Sequence, residues 1–136
     1  MRTFKSLLLY MLAMTVLLFH GSCTDKLTSQ NDFLITVDSI HVPVTITSNT
    51  PFDIEFFGMV GVDGCYSFKV FNQIIKDNDI TIETWGTYDS KAKVCPEVLV
   101  TLYGKKINMT IPYPGIYYIK ITEPYGYPLV KQIIVN

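Results

Sequence analysis

From Phe33 onward, apolar residues recur at every second position in short runs separated by Gly, Pro, Asn and Asp, the period of half-buried β-strands. Val42, Val44 and Ile46 alternate with Pro43, Thr45 and Thr47. After the break at Asn49, Thr50 and Pro51, Phe52, Ile54 and Phe56 alternate with Asp53 and Glu55. Tyr66, Phe68 and Val70 alternate with Ser67 and Lys69, and Asp77, Asn78 and Asp79 turn the chain into Ile80 and Ile82. The segment Phe71 to Lys76 reads as strand, with Ile74 and Ile75 side by side marking a bulge or a single helical turn.

Val98, Val100 and Leu102 lead through Tyr103, Gly104 and Lys105 to Ile107, Met109 and Ile111, the pattern of a hairpin. Gly115 to Glu123 and Leu129 to Val135 flank Pro124, Tyr125, Gly126, Tyr127 and Pro128, a second hairpin with a rigid aromatic tip. No stretch carries a helical stripe. The expectation is an all-β antiparallel sandwich of seven to nine strands over residues 33–136, the absence of crossover helices excluding a parallel sheet.

The first residues have another character. Arg2 and Lys5 precede the apolar run Leu7 to Phe19, and His20, Gly21, Ser22 and Cys23 follow. This is the pattern of a signal peptide, too short for a bilayer span, which needs about 20 apolar residues. A Cys after two small residues at the end of the run resembles the lipobox of bacterial lipoproteins. That resemblance implies a signal peptide over residues 1–22, acylation of Cys23, and a polar tether over residues 23–32. His20 and Phe19 depart from the common lipobox. Ordinary secretion with cleavage nearby therefore stays open, as does Cys23 as a packing or disulfide residue.

Of the three cysteines, setting Cys23 aside leaves Cys65 and Cys95, an even pair in a chain bound for an oxidising compartment. They form one crosslink or remain two free thiols. The segment Pro51 to Ile121 resembles an extracellular immunoglobulin-like domain found in small bacterial lipoproteins of the Bacteroidetes type. It does so through PFDIEF at Pro51 to Phe56, Gly64 and Cys65, DNDITIETW from Asp77, Cys95, and PGIYYIKI from Pro114. The resemblance implies an immunoglobulin-like sandwich in which Cys65 and Cys95 pair. Gly115, Ile116 and Tyr117 are similar to the Gly-x-Tyr of such domains, where the Tyr hydroxyl bonds to backbone across a corner. Ile119 stands where antibody domains carry a cysteine, so the crosslink lies elsewhere. The resemblance supplies no catalytic or ligand-binding residue.

The 136-residue chain has 11 basic and 12 acidic side chains, which offers no basic face for nucleic acid. Beyond the leader its one histidine is His41, in no motif, and there is no nucleophile elbow, zinc pair or phosphate loop. The expectation is therefore no enzyme and no cofactor. Asp53 and Glu55 share a strand face as paired acids, and Asp77, Asn78 and Asp79 offer oxygen ligands of the kind Ca²⁺ takes. Asn108, Met109 and Thr110 fit a glycosylation sequon.

Recognition rests on aromatics. Trp85, Tyr113, Tyr118, Tyr125 and Tyr127 are the candidate binding surface, with Trp85 on the opposite parity to Ile80 and Ile82. The leading expectation is a lipid-anchored cell-envelope domain, in a bacterial outer membrane, that presents loops to a protein or an assembly. The alternatives are a carbohydrate-binding module stacking sugars on Trp85, Tyr125 and Tyr127, or an inhibitor or accessory subunit inserting the Pro124 to Pro128 tip into a partner's cleft.

Overall fold

The computed structural model describes residues 30–136. The expected signal peptide, Cys23 and residues 24–29 of the expected tether lie outside the described residues. Within them the protein is all-β, with eleven strands and no helix. The count exceeds seven to nine in part because Met59–Gly61, not expected as a strand, forms one, and in part because the run around Val42 divides into β2 (Ser39–His41) and β3 (Thr45–Ile46). The two halves belong to different sheets. Pro43 supplies no N–H for a ladder, the chain crosses between sheets there, and Val44 is exposed.

The larger sheet is built on β7 (Asp79–Asp89). Along one edge of β7 runs β6 (Tyr66–Lys76), antiparallel. The other edge is divided. β1 (Gln30–Leu34) pairs antiparallel with Trp85 to Asp89, and β10 (Gly115–Thr122) pairs parallel with Asp79 to Glu83. β11 (Leu129–Val135) completes the expected hairpin with β10 and takes β3 in parallel on its outer side. β1 takes in Gln30 to Asp32, which their polarity had assigned to the tether.

Two parallel pairings overturn the purely antiparallel expectation. The link from β7 to β10 needs no helix, because residues 90–114 cross through strands of other sheets. Those strands are β8 (Val100–Thr101), paired with β5 (Met59–Gly61), and β9 (Lys105–Met109), paired with β4 (Phe52–Phe57) beside β2. The expected β8–β9 hairpin is absent. Both strands run along the same neighbour, β4 and its continuation β5, and Leu102 donates its N–H to Gly58 at 2.9 Å. Gly104, at φ 71°, kinks this path outward without reversing it.

Alternation succeeds where the ladder is regular. Phe52, Ile54 and Phe56 from β4 meet Ile80 and Ile82 from β7, Tyr117, Ile119 and Ile121 from β10, and Ile133 and Val135 from β11 in one core. β-Branched isoleucine suits such a surface, since its restricted χ1 costs little more to fix. Val70 breaks the pattern. A register shift between Phe68 and Val70 puts an extra residue, Lys69, into β6, so Phe71 takes the inward place against Phe56, with ring centroids 4.4 Å apart. Ile74 and Ile75 lie in regular strand, so the bulge sits nearer the start of β6 than the sequence suggested.

Cys65 and Cys95 are disulfide-bonded, with Cα atoms 5.2 Å apart. The bond ties the start of β6 to the long crossover. At Gly61 a Cβ would lie 2.0 Å from the Tyr66 ring, so only glycine lets that ring close over β5.

Two stability predictions follow from this packing. Replacing both Cys65 and Cys95 by Ser opens a loop with a sequence separation of 30 and should lower unfolding free energy by about 3–4 kcal/mol on the chain-entropy model, measured by denaturant titration. Thr84 is fully buried opposite Phe71 and its Oγ1 has no hydrogen-bond partner. Thr84→Val should raise stability by about 1 kcal/mol, because an unpaired buried hydroxyl costs more than a methyl group in its place.

Candidate functional site

Exposed tyrosines stand on a hairpin tip and, through Tyr103, on the wall of a cleft. The β10–β11 hairpin turns through residues 123–128, with Gly126 at φ 88°, and leaves Tyr125 and Tyr127 89% and 95% exposed. Its base is tied down by Glu123. Both carboxylate oxygens of Glu123 lie 3.3 Å from the Val37 amide nitrogen, which donates to them. The next residue, Asp38, donates its N–H to Phe57 at 2.9 Å, and the Phe57 ring packs edge-on against Tyr103 at 5.5 Å. Tyr103 projects from the Gly104 kink and is 84% exposed.

Asp38 and Tyr103 belong to the wall of a cleft of ≈ 380 Å³ lined also by Gly58, Met59, Leu99 and Thr101, and Tyr125 and Tyr127 stand outside that lining. Gly58 is required here, since a Cβ would lie 2.7 Å from the Thr36 carbonyl oxygen. The cleft is apolar on Met59 and Leu99, and Asp38 places one carboxylate in its wall. Tyr103, Met59 and Leu99 were missed in the sequence, where they look like strand and turn residues. An aromatic immediately before Gly in a kink was the one available signal.

The expected aromatic surface divides. Trp85 lies on the outer face of the larger sheet, in register between Leu34 of β1 and Val70 of β6, and its Nε1–H donates to Glu83 at 2.9 Å. Thr122 opposes Glu83, so β10 leaves the sheet toward its tip just before it would reach Trp85. Tyr125 and Tyr127 therefore share this end with Trp85. Tyr113 and Tyr118 do not, for they lie at the opposite end of β10. There Tyr117 is buried and its hydroxyl donates to the Tyr113 carbonyl at 3.1 Å, as the Gly-x-Tyr pattern implied.

The remaining polar candidates are engaged in structure. Lys106 reaches Glu55 at 2.6 Å and Asp53 at 3.8 Å, and the Glu55 hydrogen bond and charge hold its ammonium above the ordinary lysine range. The paired acids thus have their own counter-ion. Asp79 binds Lys120 at 2.6 Å, and Asn78 donates to the Ile116 carbonyl at 2.8 Å, so two of the three turn residues are committed to the sheet. Asn108 of the sequon donates to Asp53 at 2.8 Å. His41 is exposed on β2, opposite Glu55. Among the described residues, the one group of possible metal ligands is Asp63, Cys65 and Cys95. Its two sulfurs are bonded to each other, and Asp63 accepts the Cys65 N–H at 2.9 Å.

No family model, curated protein or solved structure matches the chain. The site is therefore read from its own geometry. It offers broad aromatic and apolar surface with a single cleft carboxylate.

Partial burial pushes the Glu123 carboxyl above its ordinary value of 4.5. The Val37 N–H pulls it down, and the charge of Asp38 pushes it up further. A raised folded-state value means that the protonated form stabilises the fold. That contribution is complete below the unfolded value and is lost as pH rises through the folded one. Glu123→Gln, which keeps an oxygen for Val37, should melt higher than wild type at neutral pH. The gap should close as pH falls toward 4.5, the ordinary carboxyl value. Thermal melts of both proteins across that range check the sign.

Proposed function

We propose that this protein is a non-enzymatic, lipid-anchored domain of the bacterial cell envelope, whose immunoglobulin-like sandwich presents tyrosine-bearing loops to a protein partner. The observation that carries the reading is the exposure of Tyr125 and Tyr127, at 89% and 95%, on the hairpin tip, and of Tyr103, at 84%, on the wall of the cleft. Tyrosine gives a binding loop a large, rigid, amphipathic contact at low entropic cost, since it has only two side-chain torsions to fix. Pro124, Pro128 and the Glu123 tie restrict the hairpin before a partner arrives, which lowers the ordering cost of binding.

The anchor rests on the lipobox-like Gly21, Ser22 and Cys23 after an apolar run. The immunoglobulin-like relationship is supported by the Tyr117 hydroxyl closing on the Tyr113 backbone and by two sheets sharing one core. The carbohydrate alternative needs Trp85 as an open stacking platform. Its place between Leu34 and Val70, with the indole N–H held by Glu83, favours the loop reading.

Two measurements test the proposal. Intact mass of the protein from its host's membranes should show a chain beginning at acylated Cys23, and Cys23→Ser should release it from salt-washed membranes. Acyl chains hold by about 0.8 kcal/mol per buried methylene and are indifferent to salt. A photo-crosslinking residue at position 127 should then capture one discrete envelope protein. Capture should fall by about tenfold or more when Tyr103 and Tyr125 are both changed to Ala, as for central aromatic anchors. Unaltered membrane binding by Cys23→Ser, or capture indifferent to both tyrosines, would sink the reading.

A further inference from the structure

β6 has a free edge. It pairs with β7 from Tyr66 to Lys76, and among the described residues no strand pairs with its other side. Up to Lys69 that edge is blunted by the register shift, and Lys69 is tied to Asp32. From Val70 to Lys76 the register with β7 is unbroken. These residues, VFNQIIK, include no Pro, Gly or acid. In an antiparallel edge strand alternate residues turn their N–H and C=O groups outward, so this half offers a regular hydrogen-bonding ladder to an added strand.

An apolar pocket of ≈ 220 Å³ lies where the ladder ends. Ile75, Thr110, Ile111, Pro112, Tyr113 and Tyr117 line it, with Asp77 also in its wall. Ile111 and Tyr117 are buried, whereas Ile75 is 53% and Tyr113 73% exposed. Ile75 opposes Ile80, a core residue, and so faces inward. A residue laid beside Ile75 in an added strand faces the same way, which directs its side chain to the pocket. Backbone ladder and side-chain pocket therefore share one register.

Charge selects the occupant. β6 has two lysines and no acid. Lys69 is taken by Asp32, and Asp79, opposite Lys76, is taken by Lys120. Among the described residues Lys76 has no acidic partner. Asp77 makes the pocket itself unfavourable for an anion, so the pocket takes an apolar side chain and Lys76 an acid beside it. A second copy of this edge would bring two further β6 lysines to the joint, with Asp77, just beyond the strand, as the one acid beside them.

We propose that the β6 edge and this pocket bind an extended segment of a partner protein by strand addition, the segment carrying one large apolar side chain next to an acidic residue. The site is separate from the tyrosine loops and stands whether or not those loops bind anything.

Random peptides displayed on phage and panned on the purified protein provide the probe. The selected sequences should share a large apolar residue beside Asp or Glu. A synthetic peptide of that consensus should slow amide exchange at residues 70–76. Lys76→Glu and, separately, Tyr113→Ala should each weaken it by about tenfold, the scale of one 1.4 kcal/mol contact, with melting temperatures checked to confirm folding. The double change Tyr125→Ala and Tyr127→Ala should leave it unaffected. The inference fails if selection yields no shared sequence, if exchange slows elsewhere, or if Lys76→Glu binds equally well. It fails too if residues 70–76 become protected on raising protein concentration alone, which would make a second copy the occupant.

Discussion

The structure depends on β7 having a partner along the whole of both edges. β6 covers one side, while β1 and β10 divide the other between them at Trp85. Ile80, Ile82, Thr84 and Gly86 on its inner face are all buried. Ladders thus flank this central strand on both sides, and at the junction the Thr84 carbonyl accepts the Ile35 N–H at 2.8 Å, which meets the need of a deeply placed strand for backbone partners. The division of the second edge also decides the shape. Because β1 occupies the half beyond Glu83, β10 must leave the sheet, and it leaves as the aromatic hairpin tip.

The two ends of the molecule then acquire different chemistry from the same strands. At the tip end, chain leaving the sheets carries tyrosines outward, and Glu123 and Phe57 pin that chain to its neighbours. At the other end β10 enters under Tyr117, whose hydroxyl secures the Pro112 to Pro114 segment against the core. One end is an array of side chains on braced loops; the other is a strand edge beside a pocket. Contacts of these two kinds do not compete for the same surface.

Much of this was legible in the residues, and what was not has a physical cause. Phe52, Ile54 and Phe56, or Ile119 and Ile121, declare their inward face because their ladders are regular. Val70 was misplaced because a single extra residue reverses the alternation, and nothing in Ser67 to Val70 marks which residue will be extra. The parallel pairs of β10 with β7 and of β11 with β3 were hidden because pairing partners are chosen by distant sequence. The exposure of Tyr125 and Tyr127 was readable from flanking Pro and Gly. Tyr103 offered only its place before Gly104, and a kink and a hairpin turn demand that glycine alike, so its neighbours in the cleft were not readable. Trp85 was assigned to the correct face by parity, but its nearness to the tip depends on where β1 stops.

The parallel pairing of β3 with β11 has a consequence for how the chain reaches this state. Ile46 meets Val135, and Ser48 donates to the Asn136 carbonyl at 2.7 Å, so one margin of the larger sheet joins residues from near the two extremes of the described chain. Such contacts are slow to form, since a long loop must close before they repay its entropy. The β6–β7 hairpin is local and can form much sooner. Until residues 129–135 arrive, β10 lacks its outer neighbour and the isoleucines of β7 lack part of their cover. That interval is when VFNQIIK is most open to pairing with the wrong strand.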